Sequence, residues 1–228
     1  MSDPYFVTTT EDPSLTNARS KSCHPVVSRA PWEHGYLWFG ISVRGRRSWG
    51  APLPDWKREV VYYNTSAYPL ARLLTTIVTH HTNGAGSVAH DESHHRSRGF
   101  AALGYHFFID VHGIVFEGRP LEVMGSHAGV AIKKGSGPMT DPDWGAVGIV
   151  LQGDFHHADD WLINEEPTSK QLRSLEALLN GLRRSFPGLT KLLLHREVPR
   201  TGRPTVCPGD HLAPRIIALR RKLGFRGP

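Results

Sequence analysis

The strongest hydrophobic pattern in the chain is an apolar stripe with helical spacing between residues 169 and 186. Thr168 and Gln171 have the spacing of a capping box that would begin this helix, and Pro187-Gly188 would end it. The stripe consists of Leu172, Leu175, Leu179, Leu182 and Phe186. A last helix is predicted over residues 212–223, followed directly by a glycine that would end it.

Runs of apolar and β-branched residues predict the strands of a sheet. These runs cover residues 36–43, 73–79, 105–110, 114–116, 146–152 and 192–194. The run at 146–152 is apolar throughout, which favours a central strand, and His112-Gly113 favours a hairpin between the third and fourth runs. Residues 84–99 are predicted to form a loop that enters a short helix, and residues 125–144 a long loop lining a cleft. Together these elements predict an α/β fold with a central mixed β-sheet flanked by helices.

The first 35 residues differ from the rest of the chain, because they are polar and show no persistent period of 2 or 3.6. We therefore predict an N-terminal extension at residues 1–35 and a single folded domain at residues 36–228. No apolar run reaches the roughly 18–20 residues that a membrane helix needs. The first residues also lack the basic and apolar regions of a secretory signal. We therefore expect synthesis in the cytoplasm and action elsewhere only after lysis or non-classical export.

Lysine and arginine (27) outnumber aspartate and glutamate (21), which gives a formal net charge of +6. A basic balance favours an anionic partner such as nucleic acid, a membrane surface or an acidic cell-wall polymer, and it is equally compatible with a role in solubility alone. The chain has no recognisable nucleic-acid-binding motif, so we expect no nucleic-acid partner. The two cysteines are Cys23 and Cys207. If Cys207 binds a metal, no disulfide can form within the chain.

Three short stretches carry the residue types of a metal site. They are Thr79-His80-His81-Thr82, Leu194-His195-Arg196 and Thr205-Val206-Cys207-Pro208-Gly209. Successive side chains of a strand face opposite sides, so only one of His80 and His81 can reach a shared metal. Two imidazoles and one thiolate suit Zn²⁺, and three protein ligands leave a fourth position open for water. We interpret the stretches as one catalytic zinc site, the alternative being a structural zinc, which would need a fourth protein ligand.

Seven motifs follow one another between residue 47 and the C-terminus. They read RSWGA (47–51), VTHHT (78–82), GYHF (104–107), GIVFEGR (113–119), GSHAG (125–129), VGIVLQGDF (147–155) and TVCPGD (205–210). With these motifs the chain resembles the peptidoglycan recognition proteins, within the type-2 N-acetylmuramoyl-L-alanine amidases that also include phage lysins. The resemblance implies the fold of that family and peptidoglycan as the partner. We expect the protein to be a monomer.

The resemblance also implies a zinc-dependent amidase that hydrolyses the bond between N-acetylmuramic acid and the L-alanine of the peptidoglycan stem peptide. The zinc ligands of the family fall on His80, His195 and Cys207. The catalytic tyrosine falls on Tyr105, and Thr205 matches a position that helps to polarise the substrate carbonyl. Hydroxyl groups at these two places would orient water or donate to the oxyanion of the tetrahedral intermediate.

Other residues are assigned to the substrate groove by the same resemblance. His127 matches a groove position, and His94 falls where the family has a histidine in its short helix, bordering the groove. His106 follows Tyr105 on a strand and is expected to face the other way. The sequence assigns no carboxylate as general base, and Glu117 and Glu197 are the nearest candidates.

One alternative within the family is a non-catalytic peptidoglycan-binding recognition module. Members of that kind usually lack the cysteine ligand, so Cys207 and Tyr105 favour the amidase. Animal members carry a disulfide near the early loop, and this chain lacks its cysteines. Both interpretations predict the same fold and the same polymer as partner.

Overall fold

The computed structural model describes residues 6–9, 36–38, 41–58, 60–65, 67–129, 138–156, 165–199 and 204–228. Its strands are β1 (Phe6–Thr9), β2 (Tyr36–Trp38), β3 (Ile41–Arg44), β4 (Val60–Tyr63), β5 (Thr76–His81), β6 (Phe107–Ile109), β7 (Val115–Glu117), β8 (Ala146–Leu151) and β9 (Lys191–Leu194). Its α-helices are α1 (Leu70–Leu73), α2 (Val88–Ser97), α3 (Ser169–Ser185) and α4 (Leu212–Lys222). No helix within these stretches has the length and apolar character needed to cross a membrane.

Seven of the strands form one mixed sheet in the order β2-β3-β7-β6-β8-β5-β9. β6, β8, β5 and β9 run parallel to one another, and β3 is parallel to β7. The β2–β3 and β6–β7 pairs are antiparallel, the second of them being the hairpin that the sequence predicts. All residues of β8 are buried, and β8 lies inside the sheet between β6 and β5. The predicted mixed sheet and the central place of the 146–152 run are therefore confirmed.

The two faces of the sheet are covered by different helices, as strand alternation requires. Ile77 of β5 belongs to the main core, to which α3 and α4 contribute their leucines and isoleucines. Val150 of β8 faces the other way and packs in a cluster with Val88 of α2. His80 stands opposite Val150 in the parallel register of β5 and β8. The side chain of His80 therefore lies on the face that α2 covers.

Helix α3 begins where the sequence predicts. The backbone N–H of Gln171 donates to the hydroxyl of Thr168 (3.1 Å), and the backbone N–H of Thr168 donates to the side-chain oxygen of Gln171 (2.9 Å). This capping box satisfies two backbone donors that a helix start leaves without intrahelical partners. The helix packs on β3 and β6 through its apolar stripe. The predicted capping box and the predicted stripe are both confirmed.

The single strand predicted at residues 36–43 is wrong, because the structure divides this run into β2 and β3. Trp38 pairs with Ile41 in antiparallel register, so the chain reverses direction between them. A mostly apolar run hides such a reversal, since a hairpin connection can be as short as two residues. Gly40 was the residue in this run that could have indicated a turn. The strand predicted at 73–79 begins only at Thr76, because the residues before it form α1 and a short connection.

Strand β1 belongs to the segment that the sequence predicts as an N-terminal extension. It pairs antiparallel with β4, from Phe6 opposite Tyr63 to Thr9 opposite Val60. The two strands form a small sheet apart from the seven-stranded one. Residues 10–35, which include Cys23, lie outside the described residues.

Candidate metal centre

Three side chains with metal-binding atoms meet near the carboxyl ends of β5 and β9. His80 lies near the end of β5, and His195 directly follows β9, its parallel neighbour. Cys207 reaches the same place from the loop before α4. The ligand atoms of His80, His195 and Cys207 all lie within 4.8 Å of one another. The structure therefore brings together the three dispersed stretches that the sequence analysis interprets as one site.

The spacing and the chemistry of this cluster fit a tetrahedral metal ion. Sγ of Cys207 lies 3.7 Å from Nδ1 of His80, and the imidazole centroids of His80 and His195 are 4.4 Å apart. A sulfur and a nitrogen ligand of a tetrahedral Zn²⁺ are about 3.6 Å apart, given bond lengths of about 2.3 and about 2.05 Å. Among the described residues, no fourth histidine, cysteine or carboxylate joins the cluster. The cluster could hold a zinc ion with one position open for water or substrate.

His81 faces the other side of β5. Its Nδ1 accepts the backbone N–H of Phe155 (3.2 Å) and lies 3.6 Å from the Asp154 carboxylate. Burial lowers the pKa of His81 to about 4, which keeps the ring neutral and able to accept this hydrogen bond. Of the two adjacent histidines, only His80 reaches the cluster.

The loop that presents Cys207 is held at several points. The backbone N–H of Arg196 donates to the carbonyl oxygen of Cys207 (2.9 Å), and the N–H of Cys207 donates to the hydroxyl of Thr205 (3.2 Å). Gly209 has a φ of 90°, and a Cβ at this position would lie 2.2 Å from the backbone of Phe155. Glycine is therefore required there by conformation and by space. These contacts fix the thiol beside the two histidines. Thr205, two residues before Cys207, lies on the same loop.

Tyr105 lies beside the cluster, just before β6. Its ring centroid is 5.0 Å from that of His80. Burial raises the pKa of its hydroxyl above the ordinary value, and the negative charge of the Cys207 thiolate raises it further. The phenol therefore stays protonated and is available as a hydrogen-bond donor next to the candidate ligands.

His127 lies behind His80, towards the interior. Its Nδ1 is 3.0 Å from Nε2 of His80 and 3.2 Å from a carboxylate oxygen of Asp143. The imidazole has no exposed surface. The contact with substrate that the resemblance implies is therefore not available in this structure, because the ring points inwards against β8. The sequence offered no sign of this, since a Gly-flanked histidine in a loop is compatible with either orientation.

The two adjacent histidines of α2 also differ in position. His94 is exposed on the helix surface, whereas His95 is buried and its Nδ1 accepts the backbone N–H of Gly104 (2.9 Å). The ring of His95, with its centroid 5.4 Å from that of Tyr105, is thus the one that packs beside the candidate catalytic residue. His95 was not among the site residues predicted from the sequence. The helical spacing of Val88, Glu92 and His95, which are the buried residues of α2, could have indicated it.

His106, which follows Tyr105, has a packed and hydrogen-bonded position. It is fully buried, its Nε2 donates to the carbonyl of Val123 (2.9 Å), and its Nδ1 accepts the backbone N–H of Gly148 (3.0 Å). Burial lowers the pKa of His106 to about 3, so the ring is neutral. It joins the loop before residue 125 to the central strand β8.

The two carboxylates considered as general base both lie outside the cluster. Glu197 forms an ion pair with Arg220 and accepts the backbone N–H of Leu194 (2.8 Å). Glu117 is 3% exposed and lies near Arg46. Burial raises the pKa of Glu117 to about 8, although the neighbouring arginine acts in the opposite direction. Neither carboxylate belongs to the cluster of metal-binding atoms.

The raised pKa of Glu117 leads to a testable dependence of stability on pH. The unfolded chain loses this proton near pH 4.5 and the folded protein near pH 8, so the free energy of unfolding falls as the pH rises between these values. We expect Glu117→Gln to remove this fall, which amounts to a few kcal/mol. Urea unfolding of the metal-free protein across this pH range measures it. The half-buried Glu176→Gln serves as the control and should keep the wild-type profile, and an unchanged profile in Glu117→Gln would contradict the assignment.

The sheet and the cluster together define an α/β domain with three potential metal ligands near the carboxyl ends of the parallel strands β5 and β9. A family model for N-acetylmuramoyl-L-alanine amidase matches residues 71–210. The protein belongs to this family, the type-2 amidases and peptidoglycan recognition proteins.

Individual relatives agree with this assignment. Peptidoglycan recognition protein 1 of Bos indicus is 33% identical over 123 residues, which are 52% of this chain and 53% of the relative, so the chain spans about half the length of that relative. The amidase LysC from Clostridium intestinale is 29% identical, with a TM-score of 0.54 over 69% of this chain and 89% of that one. The Drosophila protein PGRP-LB is 25% identical, with a TM-score of 0.58 over 81% of this chain and 95% of that one.

Proposed function

We propose that this protein is a zinc-dependent N-acetylmuramoyl-L-alanine amidase, which hydrolyses the amide bond between N-acetylmuramic acid and the L-alanine of the stem peptide. The observation that carries the proposal is the cluster of His80, His195 and Cys207, with ligand atoms within 4.8 Å of one another and Tyr105 beside it. Similarity to the amidase LysC supports the choice of reaction.

The donor set supports zinc as the metal. One thiolate and two imidazoles match the preference of Zn²⁺, and the 3.7 Å between sulfur and nitrogen matches a tetrahedral arrangement. Zinc at this place would supply Lewis-acid chemistry for polarising a substrate carbonyl and activating water. His80, His195 and Cys207 would hold the ion on strand ends and on the braced loop.

The residues around the cluster account for the remaining requirements of amide hydrolysis. The protonated hydroxyl of Tyr105 can donate a hydrogen bond to the oxyanion that develops on the substrate carbonyl. Thr205, two residues before Cys207, offers a second hydroxyl on the same loop. The net charge of +6 favours approach to an anionic cell wall. His94, exposed on α2, remains a candidate for the rim of the groove.

A non-catalytic peptidoglycan-binding module is the second candidate. It is suggested by the similarity to peptidoglycan recognition protein 1, whose name states recognition and no hydrolysis. A module that only binds needs neither an open metal centre nor a tyrosine beside it. The complete cluster therefore favours the enzyme.

The two candidates are separated by incubating purified protein with isolated peptidoglycan. The enzyme is expected to release soluble stem peptides, to lose this activity after treatment with a chelator, and to recover it when zinc is added back. Sedimentation with the insoluble polymer measures binding in the same samples. Binding without release of peptide, in zinc-saturated protein, would favour the recognition module and contradict the amidase.

A further inference from the structure

The two ring nitrogens of His80 face different partners. Nδ1 faces Sγ of Cys207 at 3.7 Å, inside the cluster, and Nε2 faces Nδ1 of His127 at 3.0 Å, on the side away from the cluster. A histidine that binds a metal through one nitrogen carries its proton on the other and donates it to a partner that fixes the ring. In this chain that partner is a second buried histidine.

We propose that His127 and Asp143 are positioning residues of the metal centre: His127 accepts the hydrogen bond of His80 and fixes its ring, and Asp143 fixes His127. The inference rests on the proposed function, because it concerns the zinc ion that His80 would bind. In this arrangement the partner of His127 is His80 rather than the substrate.

Two glycines leave the space that the His127 ring occupies. A Cβ on Gly125 would lie 2.5 Å from Cδ2 of His127, and a Cβ on Gly148 would lie 2.3 Å from the same atom. Gly148 belongs to the central strand β8 and stands opposite Val78 of β5, two residues before His80. The two glycines thus leave a slot for this ring between the loop and the sheet, and any side chain at either position would displace it.

Asp143 binds the backbone of the turn that contains His127. Its carboxylate accepts the backbone N–H groups of His127 (3.1 Å), Ala128 (2.9 Å) and Gly129 (3.0 Å). Asp143 itself is 3% exposed. Three backbone donors on one buried carboxylate fix both the turn and the direction in which the imidazole leaves it. Asp143 therefore acts on His80 only through His127.

The test compares two replacements of His127 that have nearly the same shape. His127→Asn keeps an acceptor close to the place of Nδ1, and His127→Leu removes it. We expect His127→Leu to weaken zinc binding by about 10- to 100-fold and His127→Asn by less than about threefold. The zinc dissociation constant is measured by competition with a chelating dye, and the thermal midpoint of the metal-free protein is measured separately. If His127 only stabilised the fold, its replacement would lower the thermal midpoint and leave the zinc dissociation constant unchanged.

Asp143 provides a second and independent variant. Asp143→Ala is expected to weaken zinc binding about tenfold. The double variant of Asp143→Ala and His127→Leu should bind zinc no more weakly than His127→Leu alone, because both changes remove the same support. Fully additive losses of zinc affinity would contradict the inference that Asp143 acts on His80 through His127.

Gln171→Leu is the control. Gln171 is also fully buried, but it lies in α3 on the other face of the sheet, and its side-chain amide donates to the carbonyl of Gln152 (2.8 Å). We expect a lower thermal midpoint and an unchanged zinc dissociation constant. Wild-type affinity in folded His127→Leu, or equal losses in the Leu and Asn variants, would overturn the inference and leave the proposed function standing. Absence of zinc binding in the wild type would instead overturn the proposed function, and the inference with it.

Discussion

Replacement of Cys207 with alanine is expected to reduce the release of stem peptides from peptidoglycan at least about a thousandfold. The reason is that two imidazoles alone hold zinc weakly and lose the charge that the thiolate contributes to the centre. The fold should persist, because Cys207 is a small side chain in a loop whose backbone is held by Arg196 and Thr205. His80→Ala is expected to have the same effect.

The rate of peptide release and the zinc content of the purified variants measure this effect. Val206→Ala is the control, since Val206 is the neighbour of Cys207 and is 46% exposed. It should retain wild-type activity and bind zinc. Full activity in folded Cys207→Ala, or in enzyme stripped of metal by a chelator, would refute a metal-dependent reaction at this cluster.

Replacement of Tyr105 with phenylalanine is expected to lower kcat by about a hundredfold to a thousandfold and to leave KM nearly unchanged. The change removes one hydroxyl and keeps the ring that packs 5.0 Å from His80 and 5.4 Å from His95. A donor that acts on the developing oxyanion contributes to the transition state more than to the bound substrate.

Steady-state kinetics on a defined muropeptide separate the two constants. Tyr68→Phe, a replacement of the same kind at a tyrosine packed against the main core, should leave both constants unchanged. If kcat of Tyr105→Phe equals that of the wild type, Tyr105 has no part in the reaction.

Local sequence patterns predicted the elements that are stabilised locally or buried on both sides. Helix α3 has an apolar stripe and a capping box at its start, and both arise from residues only a few positions apart. Strand β8 is apolar throughout because both faces of the sheet are covered around it. The alternation of side chains in β5 also showed that only one of His80 and His81 could reach the cluster.

The features that the sequence did not predict depend on contacts between distant segments. The reversal between Trp38 and Ile41 is marked in the sequence only by Gly40, within a mostly apolar run. The inward orientation of His127 depends on space left by Gly148 in another strand and on backbone hydrogen bonds to Asp143. No periodicity within one segment reports such contacts, because they form only when the loop packs on the sheet.

The two adjacent histidines of α2 differ in how far the sequence predicted their positions. The resemblance pointed to His94, which is exposed, while the residue that packs beside Tyr105 is His95. Counting helical positions from Val88 through Glu92 would have placed His95 on the buried face of α2. The motif position assigned His94 to the rim of the groove, which its exposure allows, and helical periodicity would have added His95 as the buried histidine of α2.

The most direct test of the proposed function is mass spectrometry of the products that the zinc-loaded protein releases from a defined muropeptide. Two products are expected: an intact stem peptide that begins at L-alanine with a free amine, and the muramic acid sugar with a free lactyl carboxylate. Cleavage within the glycan or within the peptide, or an uncleaved muropeptide in the presence of folded, zinc-loaded protein, would contradict it.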